Sequence, residues 1–533
     1  MYNYFVKLPL LLLFSLSLAL VSCSEGTTVG GKSDPENGRY VSYRGSTDNR
    51  GGANGLDENE GINNAFGAPG NNDNSGDTNR EIIEADIVKV EGDTLYALSA
   101  YRGLVVLDIG TQDQIDVLGR YPVYGHPFEM YIEEGLAYIM FSSYWTYTWD
   151  ETLGYGSWNS SSKLVVLDVQ DPHNINQVAT YDLAGEISDS RLVGDILYLV
   201  ATENGYCWNC STTPRTTITS LSTGDINDIR VVDQLAFDAE EYGWGKLPIF
   251  VNQNRIYVAQ NNYVEGRSAV QAIDISDPSG VMQLGDEVLL AGRIESRWQM
   301  NEYDGVFRTI SQRGWVGQAP VVETFTVTPT ALTPLGSLTM SLPRPEDLRS
   351  VRFDGTRAYA VTFEQVDPLF TIDLSDPANP VQRGMLEIPG WLHHMEPRGD
   401  RMIALGFDND DEQQLTMSLF DVSNLDTPTM LDRESFGAEW SFFTEDQDRI
   451  HKALKIMDDE GVILMPYAGW GASGFESGVQ IFSFTDHNIL KRGLVPHYGF
   501  ARRAFMHNDR LFAMSDERVE SFNVNDLDAP VRT

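Results

Sequence analysis

The chain has 533 residues, of which 42% are hydrophobic, so it can bury a substantial core. Its 77 acidic and 38 basic side chains give a net charge of −39, which argues against binding to nucleic acid or to anionic headgroups. An acidic excess of this kind is typical of a solvated surface rather than of a site for one cationic partner.

The N-terminus predicts an exported lipoprotein. Lys7 is the only charged side chain before Glu25, and the apolar run 8–20 has the length of a signal-peptide core rather than of a membrane span. The run ends in Leu20-Val21-Ser22-Cys23, which resembles the bacterial lipobox, and a free cysteine at the end of a helix is the alternative. We therefore expect a signal peptide over 1–22 and lipid on Cys23. Ser24, where an aspartate would resemble an inner-membrane retention signal, favours the outer membrane or cell surface.

Residues 23–80 predict a flexible tether behind the lipidated cysteine. Gly, Asn, Asp and Ser dominate this stretch, as in Gly70-Asn-Asn-Asp-Asn-Ser-Gly-Asp. Such a segment buries too little apolar surface to offset the entropy of ordering it. No later run approaches 18 apolar residues, so the lipid is the only membrane anchor that the sequence predicts.

One pattern recurs from residue 84 to residue 533. A turn containing Gly, Asp or Asn precedes an apolar and aromatic strand, as in Glu91-Gly-Asp-Thr-Leu-Tyr-Ala-Leu. A second apolar strand follows, and in most units it ends in Asp and a Ser/Asp/Pro turn, as in Phe370-Thr-Ile-Asp-Leu-Ser-Asp-Pro. Nine such units of about 50 residues fill this part of the chain.

These units predict an all-β fold, a single large β-propeller over 84–533. Each unit is expected to form four short strands, a to d, separated by turns. Four-stranded units of this length with almost no amphipathic helix are typical of propellers, whose radial closure protects the sheet edges. Because nine blades would exceed the usual four to eight and the third unit is irregular, the sequence predicts about eight blades, give or take one.

An aspartate recurs at the end of the second apolar strand. Asp accepts backbone N–H bonds in turns, so turn chemistry is favoured over a ring of functional carboxylates. The aspartates are Asp108, Asp168, Asp274, Asp373 and Asp421.

Four stretches carry a family resemblance: Glu84-Ala-Asp-Ile-Val-Lys-Val-Glu-Gly-Asp-Thr-Leu-Tyr-Ala-Leu-Ser, Met300-Asn-Glu-Tyr-Asp-Gly-Val-Phe-Arg, the block 351–380 and His451-Lys-Ala-Leu. They resemble a bacterial and archaeal family of secreted proteins with a C-terminal β-propeller domain. The resemblance covers nearly all of 84–533 and implies the propeller fold. It implies no catalytic residue, and the long tether and the aromatic insertions depart from the family pattern.

Propeller geometry predicts two unlike faces. The a–b and c–d connections lie on one face and are mostly tight turns, whereas the b–c and d–a connections lie on the other. The long insertions fall in b–c, at 142–162, 202–215, 312–320 and 467–478. Candidate binding residues on this long-loop face are Tyr144, Trp145, Trp149, Trp158, Trp208, Trp315, Trp391, His393, His394 and Trp470.

The long-loop face predicts a binding or scaffold protein that presents aromatic residues to a glycan, a peptide or a protein of the cell envelope. For each tryptophan taken singly, packing of its insertion onto the disc is the better explanation. One alternative is a polysaccharide hydrolase or lyase with acidic residues in the central funnel. Another is a surface adhesin or assembly scaffold. The sequence holds no G-x-S-x-G, H-E-x-x-H, P-loop or dinucleotide motif, so binding is favoured over catalysis.

Two smaller motifs predict local features. Cys207-Trp-Asn-Cys210 lacks the βαβ setting of a redox site and the further ligands of a zinc site, so an exported chain is expected to oxidise it to a loop disulfide. Asp408, Asp410 and Glu412 are weak calcium candidates without EF-hand spacing, and a solvated turn is favoured. No cofactor is otherwise predicted.

Overall fold

A computed structural model describes residues 80–533 except 112–113, 151–154, 204–214, 239–246, 315–317, 364–366, 409–413 and 473. Within this part, the side chains of 143–150, 155–160 and 367 are not described.

Strands form wherever an apolar run lies between two turns. The second and third strands of most units read as continuous apolar runs, such as Thr94–Ser99 and Gly103–Asp108, and both of these are buried almost throughout. Continuous burial follows because a blade is covered by a neighbour on each side. Outer strands such as Gln283–Leu289 are largely exposed.

The first three blades follow a two-residue strand, β1 (Ile82–Ile83). Blade one is β2 (Val88–Glu91), β3 (Thr94–Ser99), β4 (Gly103–Asp108) and β5 (Asp116–Tyr121). Blade two is β6 (His126–Glu133), β7 (Leu136–Asp150), β8 (Tyr155–Asp168) and β9 (Asn176–Ala184). Blade three is β10 (Glu186–Val193), β11 (Ile196–Glu203), β12 (Arg215–Ser222) and β13 (Arg230–Asp238).

The middle blades follow the same order. Blade four is β14 (Ile249–Val251), β15 (Arg255–Asn262), β16 (Arg267–Asp274) and β17 (Gln283–Leu289). A 3-10 helix (Arg297–Gln299) precedes blade five, which is β18 (Met300–Tyr303), β19 (Val306–Ser311), β20 (Val321–Val327) and β21 (Leu332–Thr339). Blade six is β22 (Asp347–Asp354), β23 (Arg357–Phe363), β24 (Asp367–Asp373) and β25 (Val381–Ile388).

The last three blades complete the ring. Blade seven is β26 (Trp391–Arg398), β27 (Arg401–Phe407), β28 (Leu415–Asp421) and β29 (Thr429–Phe436). Blade eight is β30 (Trp440–Phe443), the helix α1 (Ile450–Ala453), β31 (Lys455–Met457), β32 (Val462–Gly471), β33 (Gly474–Phe484) and β34 (Ile489–Pro496). Blade nine is β35 (Arg503–His507), β36 (Arg510–Met514), β37 (Val519–Asn523) and β38 (Val531–Arg532).

The predicted all-β propeller is confirmed. Within the described residues each of the nine sequence units forms one antiparallel sheet in the order a-b-c-d, so the ring has nine blades, where the sequence left about eight. The recurring aspartates form turns as predicted: the side chains of Asp168, Asp274 and Asp373 each accept the backbone N–H two residues later.

Five of the nine outer strands carry a glycine that contacts the c–d turn of the next blade. In blade six the β24–β25 register shifts between Phe370 and Ile372, and Gly384 lies in this bulge. A Cβ on Gly384 would lie 2.4 Å from the carbonyl oxygen of Leu425 in the c–d turn of blade seven. The neighbouring Arg383 pairs with Asp426 through two bonds of 2.8 Å. Gly493 of blade eight contacts Leu527 of blade nine in the same way.

Two segments fill the centre of the ring. The first is the N-terminal segment 80–87, in which β1 pairs with the inner strand of blade three, Ile83 opposite Leu192. The second interrupts the inner strand of blade eight, because β30 and β31 both pair with β32. Residues 444–454, which we call the central insertion, leave the sheet between these two strands and carry α1.

Candidate functional site

Five exposed aromatic side chains form one patch at the long-loop end of blade eight. Ring centroids are 5.1 Å apart for Trp470 and Phe475, and 5.4 Å apart for Phe475 and Phe500. The Phe442 and Phe500 centroids are 6.0 Å apart, and Trp440 is the cross-strand partner of Trp470. Residues directly opposite in antiparallel strands share a face, so all five belong to one surface. We call it the aromatic patch.

The patch is exposed because blade eight is longer than its neighbour. β32 and β33 have 10 and 11 residues, whereas the three inner strands of blade nine have five each. The ends of β32 and β33 therefore extend beyond the sheet that covers the rest of the blade. Trp440 and Trp470 are 57% and 58% exposed.

The size of the patch separates it from ordinary surface. Five aromatic side chains, each about half exposed, present ~500 Å² of ring surface. Contiguous apolar patches of this size on soluble proteins mark interaction sites, whereas scattered single apolar residues need no explanation. Trp470 was among the predicted binding residues. Trp440, Phe442, Phe475 and Phe500 were not, although Phe475 stands in the predicted 467–478 insertion.

The insertion of blade two is a hairpin rather than a loop. β7 and β8 continue the sheet through most of 142–162, with Trp145 opposite Ser160 and Trp149 opposite Gly156. The side chains of Tyr144, Trp145, Trp149 and Trp158 lie outside the described residues, so their part in the predicted binding face stays a prediction.

Trp391 and His393 belong to a packed aromatic cluster. The Trp391 ring stacks on Phe407 at 4.3 Å between centroids, and the His393 ring stacks on Phe443 at 5.4 Å. Burial lowers the pKa of His393 to about 4. Trp391 and His393 therefore serve to pack this part of the chain onto the disc, as the sequence analysis favours for a single aromatic residue.

His394 lies inside the ring and is not a surface residue. It is almost fully buried, 2.6 Å from Glu396, and Arg352 lies 2.9 Å from the same carboxylate. The Arg352 guanidinium also lies 3.2 Å from the centroid of the Trp298 ring. Its expected place on the exposed binding face is corrected, because His394 is buried between the inner strands of blades six and seven, where it contacts Arg352 and Glu396.

Glu84 is the hub of a buried ion-pair cluster in the channel. Its carboxylate lies 2.9 Å from Arg191, 2.6 Å from Arg297 and 2.8 Å from His451. Burial opposes its ionisation, but the two guanidinium groups outweigh burial and hold the pKa of Glu84 well below its usual range. Burial lowers the pKa of His451 to about 3, so the neutral imidazole donates its Nε2–H to Glu84.

The central insertion is tied to the inner strands by further ion pairs. Glu129 of blade two contacts Lys452 and lies 3.1 Å from Arg449. Arg503 of blade nine lies 2.7 Å from Asp86 and 2.7 Å from Glu445. Burial opposes ionisation of Glu445, but Arg503 and Arg502 beside it outweigh burial and lower its pKa to about 2.

Three β-bulges provide additional acceptors for this insertion. Phe128, Arg349 and His393 are each skipped in the pairing of an inner strand with its neighbour. The side chain of Gln447 donates to the carbonyls of Arg349 and His393, and Arg449 donates to the carbonyl of Phe128. A bulged residue lacks its ladder partner, so its carbonyl is free to accept such bonds.

A cavity of about 140 Å³ lies between the insertion and blades two to five. It is lined by Phe128, Glu129, Ser188, Asp189, Leu247, Pro248, Ile249, Glu295, Arg297, Asp448, Arg449 and Lys452. This volume corresponds to about four or five waters.

The carboxylates of this region ionise differently. Burial raises the pKa of Asp448. Burial also opposes ionisation of Glu129, but Lys452 and Arg449 outweigh it and lower the pKa of Glu129. Glu84 and Glu129 are thus ion-paired carboxylates, unsuited to donating a proton at neutral pH.

Several predicted site residues lie outside the described residues: Cys23, Cys207, Trp208, Cys210, Trp315, Asp410 and Glu412. Asp408 is described, and its backbone N–H donates to the carbonyl of Gln414. Among the described residues no group of three or more His, Cys, Asp or Glu side chains is placed to hold a metal ion. In that same part of the chain, no helix has the length and apolar character needed to cross a membrane.

The family model of the beta propeller domain matches residues 78–221 and 209–527. The chain belongs to this family. An uncharacterized protein of Methanocaldococcus jannaschii is 33% identical over 153 residues, which cover 28% of this chain and 24% of that protein. An uncharacterized protein of Archaeoglobus fulgidus is 30% identical over 234 residues, which cover 44% of this chain and 34% of that protein.

The matched segments thus span about a quarter and a third of these two proteins. Among solved structures, dihydro-heme d1 dehydrogenase NirN in complex with DHE has a TM-score of 0.43 and 12% identity. The alignment covers 78% of this chain and 74% of that one.

Proposed function

We propose that the protein is a lipid-anchored binding or scaffold protein of the cell envelope that binds a partner protein through its aromatic patch. The beta propeller fold supports a binding or scaffold role in general. The observation that carries the finer proposal is the contiguous, exposed set of five aromatic rings on a rigid sheet extension.

A protein partner fits this surface better than a glycan. Three of the five rings are phenylalanines, which offer no polar group to a sugar hydroxyl. Trp, Tyr and Phe are enriched in the buried cores of protein interfaces, where few of them carry most of the binding energy. At ~500 Å² the patch supplies the core of a standard interface, whose rim brings each side to about 800 Å².

The rigidity of the patch favours binding without rearrangement. Trp440, Trp470 and Phe475 stand on paired strands rather than on a free loop, in register across β30, β32 and β33. Side chains held this way lose little conformational entropy when a partner covers them.

The test is capture of envelope proteins by the wild-type chain and by a W470A/F475A variant. A partner is defined as a protein that crosslinks to a photoreactive amino acid at Trp440. We expect the double variant to bind this partner at least about tenfold more weakly, a loss of ~1.4 kcal/mol.

The matched control is L490A. Leu490 is also exposed and belongs to the same blade, but its partner Ser483 places it at the end far from the patch. Both variants should melt within a few degrees of the wild type, because the altered residues are about half exposed and none belongs to the buried core. Equal binding by wild type and W470A/F475A, or binding only to a polysaccharide fraction, would contradict the proposal.

A further inference from the structure

The N-terminal segment enters the ring from the short-turn face. The Arg80 side chain donates to the carbonyls of Gln253 and Ile275, at 2.7 and 2.6 Å. Gln253 is in the a–b turn of blade four and Ile275 begins its c–d turn. The carbonyl of Glu81 accepts the N–H of Gly194, which is in the a–b turn of blade three. Arg80 and Glu81 therefore both bond to turns of the short-turn face.

From there the chain runs along the channel toward the long-loop face. Ile82 pairs with Val193 and Ile83 with Leu192, at the short-turn end of β10. Asp86 then forms a bridge with Met130 of blade two, and blade one begins at Val88. The segment runs antiparallel to β10, so Arg80, its first described residue, lies at the short-turn face.

The central insertion holds this segment from the side. His451 bonds to Glu84, and Lys452 donates to the carbonyl of Ala85 at 2.7 Å. These contacts fix 84–86 inside the ring, and the ion pairs with Arg191 and Arg297 hold the same segment from blades three and five. The entry point at Arg80 is therefore part of a fixed path.

We infer that the anchored propeller turns its short-turn face toward the membrane and presents the aromatic patch to the aqueous side. This inference rests on the proposed lipid anchor at Cys23. A strand of about ten residues spans ~33 Å, so the patch lies ~30 Å farther from the tether attachment than the short turns do. The partner is accordingly a soluble domain that approaches from the aqueous phase, rather than a segment buried in the same bilayer.

The predicted tether adds clearance to this arrangement. The 56 residues 24–79 separate Cys23 from Arg80. This segment lies outside the described residues. A Gly-rich coil of its length would have an end-to-end distance of ~40 Å, which would permit the disc to tilt but keep its attachment on one face. Shortening the tether should therefore sharpen the orientation without reversing it.

The experiment measures distance from the bilayer at two positions. Cys23 of the chain lacking its signal peptide is coupled to a maleimide lipid in vesicles, with C207S and C210S preventing side reactions, so native lipidation is not required. A dye is attached through an azido amino acid at Thr356, in an a–b turn, or at Ala472, in the blade eight hairpin, and both positions are exposed. Energy transfer to acceptor lipids reports each distance.

We expect more transfer from position 356 than from position 472, with the difference approaching ~30 Å in a variant that lacks residues 30–74. Equal quenching of both dyes by soluble iodide is the control for dye environment. Equal transfer from both positions, or more from position 472, would overturn the inference. Since no partner is present, this outcome is independent of the capture experiment, and loss of partner binding in W470A/F475A does not change it.

Discussion

At the scale of single residues, the channel depends on groups whose ionisation is set by burial. Glu84 is charged although it is buried, because Arg191 and Arg297 lie within 3 Å of its carboxylate. His451 beside it is neutral, because burial outweighs the attraction of that carboxylate. A buried carboxylate left without its partners is costly, so this cluster links the stability of the ring to pH.

The free energy of unfolding should fall as the pH drops below about 6.5. The pKa values of His451 and His393 are lowered from 6.5 to about 3 and about 4, so the unfolded chain binds more protons in that range. Glu84, Glu129 and Glu445 also have lowered pKa values, so their contribution is present above about 4.5 and is lost as the pH falls further. Thermal melts should show a melting temperature that falls steadily as the pH is lowered across this range and does not rise again at the lowest pH.

An H451Q variant isolates one part of that slope. Its amide can donate to Glu84 as the imidazole does but does not titrate, so the decline between pH 6.5 and 4 should be shallower than in the wild type. H487Q, which changes an exposed histidine, is the control and should keep the wild-type profile. A decline in H451Q as steep as that of the wild type would exclude a role of His451 in the pH dependence.

At the scale of elements, glycines in the outer strands contact the c–d turn of the next blade, a feature that the sequence analysis did not predict. The repeat was recognised from its two apolar strands, which are buried on both sides and therefore read clearly. The outer strands are polar and show little hydrophobic periodicity, so the sequence pattern does not assign a role to their glycines at 119, 285, 336, 384 and 493. The available signal was a glycine 9 to 11 residues after the end of the third strand in five of the nine units, as in Arg383-Gly384 and Arg492-Gly493.

Replacing Gly384 with alanine should destabilise the ring by ~1–3 kcal/mol, since the new Cβ would overlap a backbone carbonyl that cannot move alone. That Cβ would lie 2.4 Å from Leu425 O and 2.7 Å from Pro428 Cδ. Chemical denaturation measures the change. M385A, at the next residue of the same strand, is the control, because Met385 is exposed and its loss should stay within ~0.5 kcal/mol. Equal stability of G384A and M385A would show that the contact between Gly384 and the c–d turn of blade seven can relax at little cost.

The aromatic patch depends on a comparison between elements that no single motif reveals. The sequence placed Trp470 in a long b–c connection, but it gave no reason to expect Trp440 or Phe442, which stand at the start of an inner strand. Their exposure follows from the extra length of β32 and β33 and the shortness of blade nine. Strand ends are the least reliable part of any sequence interpretation, and the site consists of strand ends.

At the scale of the whole molecule, the fold could be predicted and its interior could not. Repetition alone indicated a propeller, because each unit is incomplete without neighbours to cover it. The central insertion interrupts the inner strand of blade eight. The His451-Lys-Ala-Leu block could therefore be matched to a family without showing that it fills the channel. Long-range contacts between Glu84 and His451 join residues 367 positions apart, which no local pattern encodes.

The membrane anchor is the remaining whole-molecule prediction. A C23A variant expressed in a bacterial host that processes lipoproteins should move from the membrane fraction to the soluble fraction, because the lipid supplies the attachment that the sequence predicts. Metabolic labelling with an alkyne fatty acid should mark the wild type and not C23A. S24A, which leaves the cysteine intact, serves as the control. Membrane retention of unlabelled C23A would exclude the lipid as the anchor.

The path of the N-terminal segment also determines how the protein resists pulling. β1 lies antiparallel to β10 along the channel, so tension applied from the short-turn face loads its hydrogen bonds in shear rather than peeling them one at a time. The two bonds of Arg80, the Glu81–Gly194 bond and the ion pairs of Glu84 share the same load. A pull on the chain from the short-turn face would therefore load bonds in the middle of the ring rather than a free end at its rim.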